Sequence, residues 1–205
     1  MTDLLNDTIA EYLDASARSL TSVDRCALRR AVDLLLDAYL RKSTIYTIGN
    51  GGSASTSMHF AADLGKFATG DKPGFAAFDL TANTSSLTAW TNDEGWNGVY
   101  SHMLAPLVRE GDIVIAFSVH GGTEGWSGNL VKGLKLARER GAQTIGFAGD
   151  GGGQFKEVCD VSIIVPQVPD VLLTPVTESL HVSLFHLLCT CTRRALSSAG
   201  GHSDA

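Results

Sequence analysis

Apolar residues recur at helical spacing near the start of the chain, with Leu4, Leu5, Ile9, Tyr12 and Leu13 on one side of the run from Leu4 to Leu20. That period predicts an amphipathic helix. A second run, Val23 to Arg41, places Leu28, Val32, Leu35, Leu36 and Tyr39 together, with Ser22 or Asp24 positioned to cap it. The pattern then shortens. Thr44–Ile48, Phe75–Leu80, Asp112–Phe117, Gln143–Ala148 and Val161–Val165 are brief apolar runs, read as strands. Helical segments stand between them: Ala54–Phe67, Ser85–Trp90, Gly98–Val108 and Asn129–Arg140. A long helix, Pro175–Leu196, follows the last strand, and Ser197–Ala205 reads as a frayed polar tail.

Strands alternating with helices imply right-handed βαβ crossovers and a parallel sheet covered on both faces. The expected fold is α/β, a doubly wound five-stranded parallel sheet behind a two-helix N-terminal extension. The 205 residues suit one domain, residues 1–196 with helices 4–41 included, and a tail over 197–205. Ligands on such sheets bind at the carboxyl ends of the strands.

Composition narrows the function. Hydrophobic residues make up 44% of the chain, enough for a core, and the net charge of −6 is spread without blocks. That balance offers no footprint for nucleic acid or an anionic membrane, so an anionic ligand needs a local site. The spacing of Cys26, Cys159, Cys189 and Cys191 fits neither a zinc ribbon nor a disulfide framework. They read as reduced thiols, mostly buried. Met1 to Asn6 carries no apolar leader, and no apolar run is read as approaching the roughly 20 residues of a bilayer span. The expected compartment is the cytoplasm.

Two loops carry candidate chemistry. Asn50-Gly51-Gly52-Ser53-Ala54-Ser55 joins a strand to a helix. Glycine lets the backbone approach a ligand, and the helix N-terminus offers free N–H groups to an anion such as phosphate. An ordinary βα turn capped by serine is the alternative. The second loop runs from Ser118 through His120, Gly121, Gly122 and Trp126 to Ser127, Gly128 and Asn129. Ser127 or Asn129 is placed to cap the next helix and meet an anion; a plain surface loop is the alternative, and Glu124 suits a phosphate loop only if it points away. His59 and Asp63 lie four apart on the first loop's helix, on one face, as a metal pair or a surface ion pair. Glu178, His181 and His186 are polar among the apolar residues of the last helix. A helix apolar nearly all round is expected to be buried, in part between subunits. Its polar groups need partners there: a metal, a substrate or one another.

Taken in order, several segments resemble the phosphoheptose isomerase branch of the sugar isomerase (SIS) family. They are Ile48-Gly49-Asn50-Gly51-Gly52-Ser53, Met58-His59-Phe60-Ala61, Leu87-Thr88-Ala89 with Asn92-Asp93, Glu110-Gly111-Asp112, Gly141 to Gly149, and Glu178 to Leu188. The likeness covers roughly residues 5 to 195. It implies the SIS fold, flavodoxin-like, and a ketose/aldose phosphate isomerase acting through an enediol on sedoheptulose 7-phosphate or a related sugar phosphate. It also implies a homotetramer, with a divalent metal, zinc foremost. By the resemblance, Asn50, Gly51, Gly52, Ser53, Asn92 and Asp93 lie near the substrate, and Ser118, His120 and Ser127 on the phosphate loop. His59, Asp63, Glu178 and His186 take the metal positions, with Asp63 as base, His186 as acid and Glu178 also beside the substrate.

The chain departs from that pattern at Asp63, where the family has Glu, and at Glu178, where it has Gln. Val119 and His120 replace hydroxyl residues in a loop about four residues longer, and Pro175 replaces an acidic residue. These changes admit an alternative, a non-catalytic SIS module that binds a sugar phosphate or a protein, like the replication-initiator-associating members. Spacing alone pairs Glu178 with His181, because Glu178 and His186 lie about 12 Å apart along the helix.

Overall fold

The five apolar runs pair into one sheet. The computed structural model describes residues 2–123, 125–149 and 151–199. In it β1 (Thr44–Gly49), β2 (Ala76–Asp79), β3 (Ile113–Ser118), β4 (Gln143–Ala148) and β5 (Val161–Ile164) lie in the order β2-β1-β3-β4-β5. Every pairing is parallel, with Ile45 opposite Ile113 and Ile113 opposite Gln143. β3 is buried at every position, as a central strand covered on both faces must be. From β1 the chain goes first to one side and then to the other, so a crevice opens between the carboxyl ends of β1 and β3.

Side chains alternate between two cores. On one face Ile45, Ile115, Phe117 and Phe147 meet α2 (Arg25–Arg41), α3 (Gly52–Lys66) and α8 (Leu173–Ala199), through Leu35, Phe60 and Phe185 among others. On the other face Ile48, Val114 and Ala116 meet α5 (Val99–Leu104) and α6 (Gly128–Glu139), through Tyr100, Leu104, Leu130 and Leu134. Gly52 stands against Glu178, His59 against His186, and Phe67 against Arg193. Helices α3 and α8 therefore run parallel, side by side, with their N-termini at the crevice.

Several boundaries differ from the sequence expectation, each for a local reason. Of the two candidate caps Asp24 serves, accepting from the Cys26 N–H at 2.8 Å. The run Gly98–Val108 splits into a 3₁₀ turn at Trp96–Gly98 and α5, which ends at Leu104 because Pro106 has no N–H to carry the helix on, although Ala105 keeps helical backbone. Helix α4 (Thr84–Glu94) is longer than expected, and α7 (Phe155–Val158) adds a turn after the Gly149–Gly153 stretch. Helix α8 continues three residues into the expected tail, where Ser197 and Ser198 bond back to Arg193 and Arg194; residues 200–205 lie outside the described residues. Asp170–Ser198 is long and apolar enough by length and composition to cross a membrane. That corrects the expectation that no run approaches this length. Here the segment packs on α2, α3 and β4. Helix α1 (Thr2–Ser22) buries Ala15 and Ser19, while Leu4, Leu5, Ile9 and Leu13 are each 59–68% exposed. All four cysteines are free, but only Cys189 is buried, against the expectation that most are; Cys159 and Cys191 are half-buried and Cys26 is exposed.

Candidate active site

The two Gly/Ser loops meet at the crevice. Asn50 leaves β1 and exchanges a pair of amide hydrogen bonds with Asn129, at 3.0 and 2.9 Å. Asn129 is buried at the start of α6 and was weighed in the sequence as a cap and an anion contact, not as a partner of Asn50. Ser118, at the end of β3, donates to the Ser127 hydroxyl at 3.3 Å, and Asn50 reaches the same hydroxyl at 3.5 Å. Ser127 takes the N-cap position of α6 with φ 56° and no side-chain cap bond. Left-handed backbone is unfavourable for a residue with a Cβ. Its hydroxyl is turned to the crevice instead of the helix.

These loops enclose a cavity of about 180 Å³. Buried Ser53 at the N-terminus of α3, Ser118, Ser127 and His120 line it, with Thr174 and Glu178 from α8. Trp126 stands at its rim, its ring 5.1 Å from His120. The lining offers hydroxyls, an imidazole and the free N–H groups of a helix end, a donor set suited to phosphate. No lysine or arginine lines it among the described residues. Glu178 adds an acceptor: its carboxylate fills the space where a Cβ on Gly52 would stand. The positive end of the α3 dipole faces it there. Gly51 precedes with φ 56° and ψ −124°, a conformation only glycine adopts without strain. Glu124 of this loop lies outside the described residues.

Two turns further along α3 and α8, a second constellation forms. The Asp63 carboxylate lies 3.8 Å from His59 Nε2 and 3.2 Å from His186 Nε2. One ligand atom from each of the three falls within 4.8 Å of the others. Two imidazoles and one carboxylate form a donor set that fits a divalent metal. Glu178 is outside this group; it stands with the cavity, as its two-turn offset from His186 requires. Cys189, beneath the group, has its thiol pushed up to about 12 by burial first and by the charge of Asp63 second, so it stays protonated. Asn92 and Asp93 are exposed at the end of α4, bonded to each other at 2.8 Å. The single chain brings neither to the cavity lining nor into the His/Asp group.

Asp79 was not singled out in the sequence. Its carboxylate accepts from Thr47 at 2.9 Å, Ser57 at 2.6 Å and the Thr81 and Ala82 N–H groups at 2.8 and 3.1 Å. It clamps α3 to β1 beneath the first loop. Tyr100 donates to the Gly49 carbonyl from the opposite face. Burial raises its phenol well above the ordinary value, helped by the Asp79 charge.

Residues 11–149 match the sequence profile of the SIS domain family. The chain is 39% identical to the lincomycin biosynthesis protein LmbN of Streptomyces lincolnensis, over 88% of this chain and 67% of that one. It is 34% identical to the phosphoheptose isomerase of Helicobacter pylori, over 94% and 95% of the two chains. Among solved structures, the phosphoheptose isomerase GmhA from Neisseria gonorrhoeae superposes with a TM-score of 0.80 at 28% identity, covering 94% of this chain and 98% of that one.

Proposed function

The chain belongs to the SIS domain family, in its phosphoheptose isomerase branch, and from that premise we propose how it works as a sugar-phosphate isomerase. The substrate is sedoheptulose 7-phosphate or a sugar phosphate of similar length. The observation that carries this reading is the division of α3 and α8 into two stations. Ser53 and Glu178 stand at the cavity, and His59, Asp63 and His186 form a polar group about 9–15 Å further along the same helices. A long sugar chain phosphorylated at one end spans that distance, with its phosphate among Ser53, Ser118, His120 and Ser127. The phosphate then acts as a remote handle that orients the reacting carbons.

Aldose–ketose isomerisation moves a proton between adjacent carbons. The Asp63 carboxylate takes the proton from the carbon beside the carbonyl and returns it to the former carbonyl carbon. The His186 imidazole gives a proton to the carbonyl oxygen and takes one from the neighbouring hydroxyl, so the enediol forms and collapses without net change in the protein. His59, Asp63 and His186 would hold a divalent metal, zinc foremost, each through one atom, leaving the second Asp63 oxygen and the second His186 nitrogen for proton transfer; the metal would supply electrostatic stabilisation of the developing enediolate. Glu178 is placed to accept from a sugar hydroxyl; its assignment to the metal rests on the resemblance alone. Asn92 and Asp93, exposed and polar, are assigned to the substrate by resemblance. Free thiols support a cytoplasmic setting, and the open apolar face of α1 supports a homotetramer.

Replacement tests the assignment. Asp63→Asn and His186→Ala should each lower turnover of sedoheptulose 7-phosphate by at least about a hundredfold, with sugar-phosphate binding retained in calorimetry. His186→Ala should also lower the zinc content of protein purified without chelators, and chelation should lower the melting temperature of the wild type. Wild-type protein with no stoichiometric metal and no stabilisation by added zinc would remove the metal from the reading. Asp63 and His186 would then remain as base and acid.

A further inference from the structure

His181 takes no part in the chemistry above, yet it is a fully buried titratable side chain of α8. It has no solvent exposure, and its ring packs edge-on against Phe117 at 5.9 Å and Phe147 at 5.8 Å. Those phenylalanines directly precede Ser118 and Ala148, so the imidazole sits beneath the carboxyl ends of β3 and β4. One ring nitrogen faces the Ala148 carbonyl without closing a well-formed hydrogen bond; the other nitrogen and the hydroxyl of Thr177, one turn earlier and equally buried, have no partner among the described residues. The Thr177 hydroxyl comes within 2.9 Å of where a Cβ on Gly149 would stand, and the Val119 carbonyl within 2.7 Å of the same point. Helix α8, the loop after β3 and the loop after β4 therefore converge at Gly149.

We propose that Thr177 and His181 are positioning residues for the phosphate-binding loop, joined by an internal water that ties α8 to the loop junction at Val119 and Gly149. The Thr177 hydroxyl and the His181 nitrogen turned away from Ala148 are costly unless satisfied, and internal waters occupy polar niches that offer two to four bonds. A neutral imidazole supplies one donor and one acceptor, and a threonine hydroxyl supplies both. Burial holds His181 neutral, lowering it to about 4, with the Ala148 backbone pulling weakly the other way; the imidazole keeps its acceptor nitrogen at neutral pH.

The loop above needs such support. Gly149 N–H donates to the Val119 carbonyl at 2.9 Å and Phe155 N–H to the Gly121 carbonyl at 3.0 Å, so the loop rests on the junction. Beyond them Ser127 holds its left-handed backbone, a conformation that persists only where its surroundings over-determine it. A loop released from below spends less time in the binding geometry, and apparent affinity falls by that fraction.

This inference rests on the phosphate lying between the two loops, and the experiment separates the two claims. Thr177→Val and His181→Leu, singly and together, are assayed for KM and kcat with sedoheptulose 7-phosphate, beside Ser53→Asp. Each single variant should raise KM about five- to tenfold with kcat nearly unchanged, the double should be no worse than either single, and His181→Asn should recover most of the loss. The isosteric Thr177→Val carries the test if His181→Leu does not fold. Unchanged KM in the folded Thr177 and His181 variants, with Ser53→Asp unable to bind, overturns this inference alone. Normal binding by Ser53→Asp overturns the phosphate site itself, and this inference with it. Losses that add in the double variant would show independent packing roles, also against the proposal.

Discussion

Asp79 illustrates how a single carboxylate fixes the site without touching it. It gathers the Thr47 and Ser57 hydroxyls and the backbone beyond β2, holding the start of α3 at a set distance from β1. Asp79→Ala leaves the Thr47 and Ser57 hydroxyls only the Ser57 and Ala54 carbonyls and takes the acceptor from the Thr81 and Ala82 N–H groups, and should cost about 1–3 kcal/mol in denaturant unfolding. A loss below about 0.5 kcal/mol would contradict the clamp. His181 makes a second residue-scale prediction. Its folded value of about 4 lies below the ordinary 6.5, so between those pH values the unfolded chain holds a proton that the folded chain excludes. The stability tied to this residue is fully present above pH 6.5 and is lost as pH falls towards 4, by roughly 3 kcal/mol in all. Melting curves over that range should flatten in His181→Leu; equal slopes in variant and wild type would contradict the assignment.

At the scale of elements, periodicity served best where one force dominates. The five strands stand where the apolar runs place them; β1, β3 and β4 are buried almost throughout, as central strands of a parallel sheet are, whereas β2 at the edge is not buried. Loop chemistry was legible in kind: Gly51, Gly52 and Ser53 do open α3 at the crevice, and His59 and Asp63 do share a face. Long-range partners were not, since no local signal joins Asn50 to Asn129 or Asp79 to Ser57. Resemblance located His186 beside Asp63, whereas helical spacing alone favoured His181, which the structure buries instead. Spacing was right in another respect, for the two-turn offset leaves Glu178 with the cavity. Helix α1 poses the remaining element-scale question. Its row of Leu4, Leu5, Ile9 and Leu13 is uncovered in the single chain, and burying such side chains is worth about 1.5–3 kcal/mol each. Light scattering at micromolar concentration should show a tetramer, and Leu5→Glu with Ile9→Glu should yield smaller species of unchanged helicity. A stable wild-type monomer would contradict it.

On the proposed reading, two parallel helices on one face of the sheet carry an anchoring station and a reacting station. The molecule's net charge of −6 gives no long-range attraction for a phosphorylated sugar, so capture depends on the local donors at the crevice. The central claim is that the bound sugar phosphate is converted through an enediol, and exchange with solvent tests it most directly. Wild-type protein, supplied with zinc, is incubated with sedoheptulose 7-phosphate in deuterium oxide and followed by nuclear magnetic resonance. An aldose phosphate should appear carrying deuterium at carbon 2, and Asp63→Asn should abolish both the product and the label. Tight binding of the sugar phosphate by the wild type, with neither interconversion nor deuterium uptake, would contradict the account and leave a binding protein on an isomerase fold.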